Sequence, residues 1–178
     1  MTVLAEVFRI DSIGKGCLAI MAHPASTGNV ASTISEIAAL GFHQVVSLLE
    51  PAEADALGLA REAELVTARS MKFISFAIPD MGLPACSEDF MRLAQLLFTE
   101  IEAGTNTLIH CRGGIGRSGL LAAAVLLQGG KDVQAAFAQV SRMRGRQVPE
   151  TAQQGDWLQA NHEAITNMPE PVTTSISR

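Results

Sequence analysis

The chain has 178 residues, of which 48% are hydrophobic and 17% are charged, and its formal net charge is −5 at pH 7. This length and composition suit one globular domain with a substantial core, and no apolar run approaches the ~20 residues that a membrane span requires. The acidic balance argues against nucleic acid or an anionic membrane as the main partner. We therefore expect a single domain over residues 1–166 and a loose C-terminal tail over residues 167–178.

Three cysteines, Cys17, Cys86 and Cys111, are widely spaced along the chain. An odd and scattered set argues against a disulfide framework and favours a reducing cytoplasm. Residues 1–11 carry charged side chains within their apolar run, so they are not predicted to be a signal peptide. No cluster of His, Cys and carboxylate residues has metal-ligand spacing, and we expect neither a metal nor another cofactor.

The N-terminal half alternates predicted strands with predicted helices. Apolar runs bounded by turn signals predict strands over residues 6–10, 17–21, 45–49 and 72–78. Apolar residues at helical spacing predict a helix that begins at Ser32 or Thr33 and ends near Leu40. Two further helices are predicted over residues 51–57 and, with irregular ends, over residues 58–70. Thr33 and Glu36 fit a capping box, and Glu53 suits a first helical turn, where the helix dipole favours acidic side chains.

The C-terminal half continues the alternation after a loop. Residues 79–84 place two prolines around Asp80 and break regular structure at the end of a predicted strand. A helix follows over residues 88–103, with Ser87 as its predicted cap, then a strand over 107–110 and helices over 116–127, 132–143 and 149–165. This order predicts an α/β protein with a central, mostly parallel sheet flanked by helices on both faces.

The segment His-Cys-Arg-Gly-Gly-Ile-Gly-Arg-Ser-Gly over residues 110–119 joins the last predicted strand to an apolar helix. In such a strand, glycine-rich turn and helix, backbone N–H groups and the helix N-terminus converge on an anion. Cys111 is expected to ionise readily there, because the helix N-terminus and Arg117 stabilise a thiolate. The Arg117 guanidinium also suits a phosphoryl group. The simpler alternative is a buried structural cysteine beside a glycine-rich turn.

His110, Cys111, five residues, Arg117 and Ser118 together resemble the phosphate-binding loop of the cysteine-dependent protein tyrosine and dual-specificity phosphatases. The resemblance covers roughly residues 17–165 and is closest to the kinase-associated phosphatase branch. It implies the fold of the small dual-specificity phosphatases. It also implies hydrolysis of phosphomonoesters on proteins through a phosphocysteine intermediate. The chain has no tyrosine, and therefore none on a recognition loop that would deepen the pocket. The resemblance thus implies a shallower pocket that is open to phosphotyrosine, with phosphoserine and phosphothreonine left as alternatives.

The resemblance assigns the central roles at this loop. Cys111 is the expected nucleophile, and Arg117 with the backbone amides clamps the phosphoryl oxygens. The phosphate-binding residues predicted in this way are Arg112, Gly113, Gly114, Ile115, Gly116 and Arg117. Asp80 resembles the aspartate of the family's acid loop and is the expected general acid, although a solvated turn aspartate is the alternative.

Three further residues have expected roles around the loop. Ser118 is expected to hydrogen-bond the Cys111 sulfur and ease its departure, or simply to cap the helix. His110 is expected to order the loop backbone, or to do no more than end the strand. The segment 148–154 resembles the family's Glu/Gln-Thr-x-x-Gln motif, and Gln154 is its water-positioning glutamine, unless it is only a solvated helix residue.

Other functions stay open from the sequence. A phosphatase of an inositol phosphate, lipid or other small molecule is one, although the loop lacks the lysines of lipid-phosphatase loops. A phosphoprotein-binding module with a weak site is another, and sulfur transfer or arsenate reduction fits the motif less well. Arg142 and Arg146 are either substrate-attracting charges or a solvated helix end. Cys17 and Cys86 are either buried hydrophobes or redox partners of Cys111. The oligomeric state is not predicted.

Overall fold

A computed structural model describes residues 5–169, so most of the predicted tail lies outside the described residues. One sheet contains five strands, which are β1 (Phe8–Ile13), β2 (Gly16–Met21), β3 (Gln44–Ser47), β4 (Lys72–Ser75) and β5 (Thr107–His110). The α-helices are α1 (Val30–Ala39), α2 (Pro51–Ala56), α3 (Glu62–Thr67), α4 (Ser87–Ala103), α5 (Gly116–Gln128), α6 (Val133–Arg144) and α7 (Ala152–Thr166), and a 3-10 helix covers Pro24–Thr27.

The strands run in the order β1-β2-β5-β3-β4, and β5 lies at the centre of the sheet. The edge strand β1 is antiparallel to β2, whereas the other neighbouring pairs are parallel. In the parallel register Ile109 of β5 lies beside Ile20 of β2 on one side and beside Val46 of β3 on the other. The predicted α/β fold with a mostly parallel sheet is therefore confirmed.

Helices cover both faces of this sheet. Successive residues of a strand point to opposite sides, so the apolar strands present side chains to both faces. On one face, Leu108 packs in a cluster with Ile37 of α1 and Val66 of α3. On the other face, the adjacent Ile109 packs in a larger cluster that includes residues of α4, α5, α6 and α7. Helix α5 is buried along nearly all of its length, so the loop that leads into it is anchored in the core.

Several predicted boundaries and caps were wrong. Asn29, rather than Ser32 or Thr33, caps α1, and its side chain accepts a hydrogen bond from the Ser32 amide. Glu36 is not part of a capping box, since its carboxylate accepts the Ala5 amide. Helix α4 begins one residue early, at Ser87 itself. The helix predicted over 58–70 is α3, and its ends are irregular, as predicted, because glycine and turn residues occupy them. No α-helix within residues 5–169 is long and apolar enough to cross a membrane.

Candidate active site

Loops after four parallel strands meet at one edge of the sheet. Strands β2, β3, β4 and β5 all run in the same direction, so their carboxyl ends lie side by side. The segments that follow them carry His23, Glu53, Asp80 and Cys111, respectively. In open parallel sheets this edge is where ligands bind. The topology therefore brings together side chains that are far apart in the sequence.

Cys111 is the first residue after β5, and it is only 3% exposed. The chain then passes through Gly113 and Gly114 and enters α5 at Gly116. Gly114 has a φ of +62°, and a side chain there would collide with the Met21 carbonyl of β2. A side chain at Gly116 would collide with the Glu150 carboxylate. Backbone atoms of β2 therefore require glycine at position 114, whereas at position 116 the obstacle is the end of an exposed side chain that can move aside.

Arg117 lies in the first turn of α5, and its side chain is 2% exposed. Its Nη1 donates to Glu53 Oε2 at 2.7 Å and to the Ile78 carbonyl at 3.0 Å, while Nη2 donates to Glu53 Oε1 at 2.9 Å. Burial opposes the charge on Arg117, but the bonds to Glu53 and the nearby Cys111 sulfur outweigh it and raise the pKa of Arg117. The guanidinium is thus charged and fixed in orientation at the base of the loop.

Asp80 contacts Arg117 directly. Its Oδ1 accepts a hydrogen bond from Nη2 at 2.9 Å, and its side chain is 49% exposed. The neighbouring Met81 has a φ of +59°, which is uncommon for a residue with a side chain and marks a tight turn in this loop. Asp80 therefore lies at the solvent side of the site, within reach of both the loop and bulk water.

Glu53 is the main site residue that the sequence interpretation missed. Its carboxylate is 8% exposed and accepts hydrogen bonds from Arg117 and, at 2.9 Å, from Arg112 Nε. The bonds from Arg117 lower the pKa of Glu53 to about 2, against the opposing effect of burial. Its position in the first turn of α2 already had a sufficient explanation in the helix dipole. The signal that could have identified Glu53 as a site residue is that α2 follows a parallel strand whose carboxyl end lies at the same edge of the sheet as Cys111.

A second missed contact involves His110, which ends β5 and is fully buried. Its Nε2 lies 2.7 Å from Glu62 Oε1 of α3, whose side chain is 3% exposed. The two atoms are not aligned for a well-directed hydrogen bond, so we treat them as a close polar contact. On its other side His110 Nδ1 is 3.4 Å from the Cys111 carbonyl. His110 is therefore placed to link α3 to the start of the loop.

Ser118 lies in the first turn of α5, and Gln154 lies in α7 with its side chain near that turn, although the described contacts do not assign their predicted roles. Ser118 Oγ is buried without a hydrogen-bond partner among residues 5–169, so the expected bond to the Cys111 sulfur is not formed here. Gln154 is fully buried, and its Nε2 donates to the Gly82 carbonyl, in the loop that carries Asp80, at 3.2 Å. Its Oε1 has no hydrogen-bond partner in the described part of the chain and faces Gly116. Both residues remain candidates.

Cys17 and Cys86 lie outside the loop that begins with Cys111. Cys17 is buried on β2, and its sulfur accepts a hydrogen bond from Arg9 at 2.9 Å. Burial raises the pKa of Cys17 despite the nearby Arg9. Cys86 is exposed, so its interpretation as a buried hydrophobe was wrong, and all three cysteines are free. A protective disulfide with Cys111 remains a prediction. Within residues 5–169 no group of three His, Cys, Asp or Glu side chains is arranged to hold a metal ion.

A family model described as "Swiss Army Knife protein, DSP-PTPase phosphatase domain" matches residues 8–165 of this chain. The match covers nearly all of the described residues, including both loops of the site. The fold and the site thus define a cysteine-dependent phosphatase. The chain belongs to this DSP-PTPase domain family within the dual-specificity phosphatase superfamily, as the loop motif predicted. No curated protein matches the chain.

Solved structures with the same fold include kinase associated phosphatase with its catalytic site cysteine replaced by serine. That structure is 19% identical, has a TM-score of 0.83, and the match covers 95% of this chain and 100% of that one. Tk-PTP in its active form is 28% identical, with a TM-score of 0.72 and coverages of 87% and 96%. PTPMT1 in complex with PI(5)P is 18% identical, with a TM-score of 0.74 and coverages of 90% and 96%.

Proposed function

We propose that this chain hydrolyses phosphomonoesters on proteins, with phosphotyrosine as the first substrate to test and phosphoserine and phosphothreonine as further ones. The observation that carries the proposal is the fixed Arg117 guanidinium in the loop that begins with Cys111. A charged, rigid guanidinium beside a ring of backbone amides matches a phosphoryl group that gains charge on its equatorial oxygens.

The proposed reaction has two steps. In the first, the Cys111 thiolate attacks phosphorus, an S–P bond forms, and the bond to the leaving oxygen breaks while Asp80 gives that oxygen a proton. In the second, water attacks the phosphocysteine, Asp80 takes the proton of that water, and the S–P bond breaks. Inorganic phosphate and the Cys111 thiolate result. Ser118 and Gln154 are the candidates for stabilising the departing sulfur and orienting the water.

Substrate binding must displace Asp80 from Arg117. Both Nη atoms of Arg117 are already engaged by Glu53, the Ile78 carbonyl and Asp80, which leaves Nε as the donor without a partner among residues 5–169. A phosphoryl group that accepts two parallel hydrogen bonds from the guanidinium needs a second donor besides Nε. The Asp80 carboxylate is the ligand of Arg117 that is half exposed, so it is the group that gives way.

The charges around the loop favour a protein substrate over a multiply phosphorylated small molecule. Arg112 pairs with Glu53, Arg117 pairs with Glu53 and Asp80, and Arg144 is bound to loop carbonyls. A ligand with several phosphates needs further cations near the site. An inositol phosphate or lipid remains the second candidate, because the neighbour PTPMT1 has been solved with PI(5)P. The cytoplasm is the proposed location, on the basis of the three free cysteines.

The test is metal-free phosphate release from matched phosphotyrosine peptide, phosphothreonine peptide and inositol phosphate. The parent is compared with Cys111→Ser, and with Cys86→Ser as a control at an exposed free cysteine. We expect release from the peptides by the parent and by Cys86→Ser, and none by Cys111→Ser. Release from the inositol phosphate alone would replace the protein substrate with the second candidate. Peptide binding without any release would indicate a binding module instead.

A further inference from the structure

Arg144, the last residue of α6, contacts the back of the phosphate-binding loop. Its Nε donates to the Gly114 carbonyl at 2.8 Å, and its Nη2 donates to the Gly113 carbonyl at 3.1 Å. The Phe8 ring of β1 lies against the guanidinium, with 4.0 Å between Cζ and the ring centroid. Helix α6 ends at this point because Gly145 adopts the left-handed conformation. One guanidinium therefore binds two consecutive loop carbonyls while an aromatic ring holds it in place.

These contacts determine where two loop amides point. A peptide unit is planar and trans, so its carbonyl and the N–H of the next residue point in opposite directions. Because Arg144 holds the Gly113 carbonyl, the Gly114 N–H points to the side of the loop opposite Arg144. Because Arg144 also holds the Gly114 carbonyl, the Ile115 N–H points to that same opposite side. We propose that Arg144 is a positioning residue that holds these two amides in the orientation that binds phosphate.

The loop needs such a support because its own sequence provides little rigidity. Gly113 and Gly114 are adjacent, and glycine has more accessible backbone conformations than any other residue. Rotation of either peptide plane would turn a carbonyl oxygen toward the bound anion and repel it. Arg144 opposes that rotation with two charge-assisted hydrogen bonds, which are stronger than neutral ones. This role differs from the substrate attraction considered for Arg142 and Arg146, which are both exposed.

A cavity beside the guanidinium makes the idea testable by chemical rescue. It has a volume of about 310 Å³, and its lining includes Glu6, Phe8, Met21 and Arg144 itself. Truncation of Arg144 would enlarge this space and leave the Gly113 and Gly114 carbonyls facing it. A free guanidinium ion is small enough to enter, carries the same donors and can stack on Phe8.

The experiment compares the parent with Arg144→Ala and Arg144→Lys, and with Arg92→Ala on α4 as a control at an exposed arginine. Tungstate, a phosphate-like oxyanion, is titrated calorimetrically, and kcat and KM are measured with an aryl phosphate. We expect Arg144→Ala to lose about tenfold to a hundredfold in both tungstate affinity and kcat/KM, by analogy with the range known for groups that orient metal ligands. Arg144→Lys should fall in between, because an ammonium is a point donor without the guanidinium fork.

Millimolar guanidinium chloride should raise the tungstate affinity and kcat/KM of Arg144→Ala several-fold and leave those of the parent unchanged. Sodium chloride at equal ionic strength should have no such effect. Unchanged tungstate affinity in Arg144→Ala would overturn the proposal. So would a loss that follows the fall in Tm and shows no guanidinium rescue. The proposal rests on phosphate binding by the loop. A parent that binds tungstate but hydrolyses nothing overturns the proposed function alone, whereas a parent that binds no tungstate overturns both.

Discussion

Glu53 and Arg117 are 64 positions apart in the chain, yet two parallel hydrogen bonds of 2.7 and 2.9 Å join the carboxylate to the guanidinium. This bidentate geometry fixes both the position and the plane of Arg117, because each oxygen of Glu53 engages a different nitrogen. Both side chains are almost fully buried. The orientation of Arg117, the proposed phosphate clamp, is therefore set by α2, an element outside the loop.

Glu53→Gln is expected to lower kcat/KM by about tenfold to a hundredfold, because an amide accepts through one oxygen only and leaves Arg117 less firmly held. Aryl phosphate turnover by the parent and variant measures the effect. Glu50→Gln, at an exposed carboxylate just before α2, is the control and should behave like the parent. Equal activity of Glu53→Gln and the parent would show that the Arg117 orientation does not depend on Glu53.

The low pKa of Glu53 also predicts that the fold loses stability at acidic pH. The pKa of Glu53 is lowered to about 2 by the bonds from Arg117, whereas an unfolded glutamate titrates near ~4.3. A carboxyl group with a depressed pKa in the folded state contributes stability that is complete above the unfolded value. That stability is lost as the pH falls toward the folded value. Its size is on the order of 2 to 3 kcal/mol.

We therefore expect the parent to exceed Glu53→Gln in free energy of unfolding by a constant amount between pH 6 and pH 8, roughly the range in which the carboxylate is ionised in both states. The difference should shrink progressively from about pH 5 to about pH 2. Denaturant unfolding at a series of pH values measures it. A difference that stays constant down to the acid end would contradict the assignment to Glu53.

Asp80→Asn should separate proton transfer from anion binding. Loss of the acid should lower kcat by about a hundredfold or more for an alkyl phosphate, whose leaving group needs the proton, and much less for an aryl phosphate. Tungstate should bind more tightly, because a neutral amide competes less well for Arg117 than the carboxylate does. The control is Asp55→Asn on the exposed side of α2. Equal alkyl phosphate rates for Asp80→Asn and the parent would remove Asp80 from the mechanism.

Gly114→Ala should disable the loop through crowding as well as strain. Its φ is +62°, and the added Cβ would collide with the Met21 carbonyl. Gly130→Ala is the matched control, since that glycine also has a positive φ of +87° but a Cβ added there would meet no atom within 4 Å. Both variants should lose about 1 kcal/mol or more of stability from backbone strain. Only Gly114→Ala should also lose tungstate binding, which calorimetry would show; equal affinities would contradict the crowding argument.

His110→Ala should destabilise the fold by about 2 to 4 kcal/mol, because it leaves a cavity and removes the polar neighbour of the buried Glu62. Glu62→Gln and the double variant complete a cycle that isolates the contact, and denaturant unfolding provides the free energies. Glu64→Gln, at an exposed glutamate of the same helix, is the control. A coupling energy near zero would show that the two side chains are merely adjacent.

The sequence by itself determined the fold class and the family, and it predicted where the chemistry takes place. Alternating apolar strands and helices predicted the parallel sheet because buried parallel strands must be apolar on both faces. The loop from His110 to Gly119 predicted the phosphatase family because its residue types and spacing are local properties of one continuous segment. The sequence also predicted that the loop around Asp80 lies near this segment, because the Asp80 loop breaks regular structure at the end of a strand.

Tertiary structure alone decided what surrounds that loop. Glu53, Glu62 and Arg144 come from three different helices, and Glu53 already had a local explanation in the helix dipole. Their contacts with Arg117, His110 and the Gly113–Gly114 carbonyls depend on how the helices pack around the sheet. No spacing along the chain encodes such contacts, because two side chains in different elements meet only when the sheet register and helix packing bring them together.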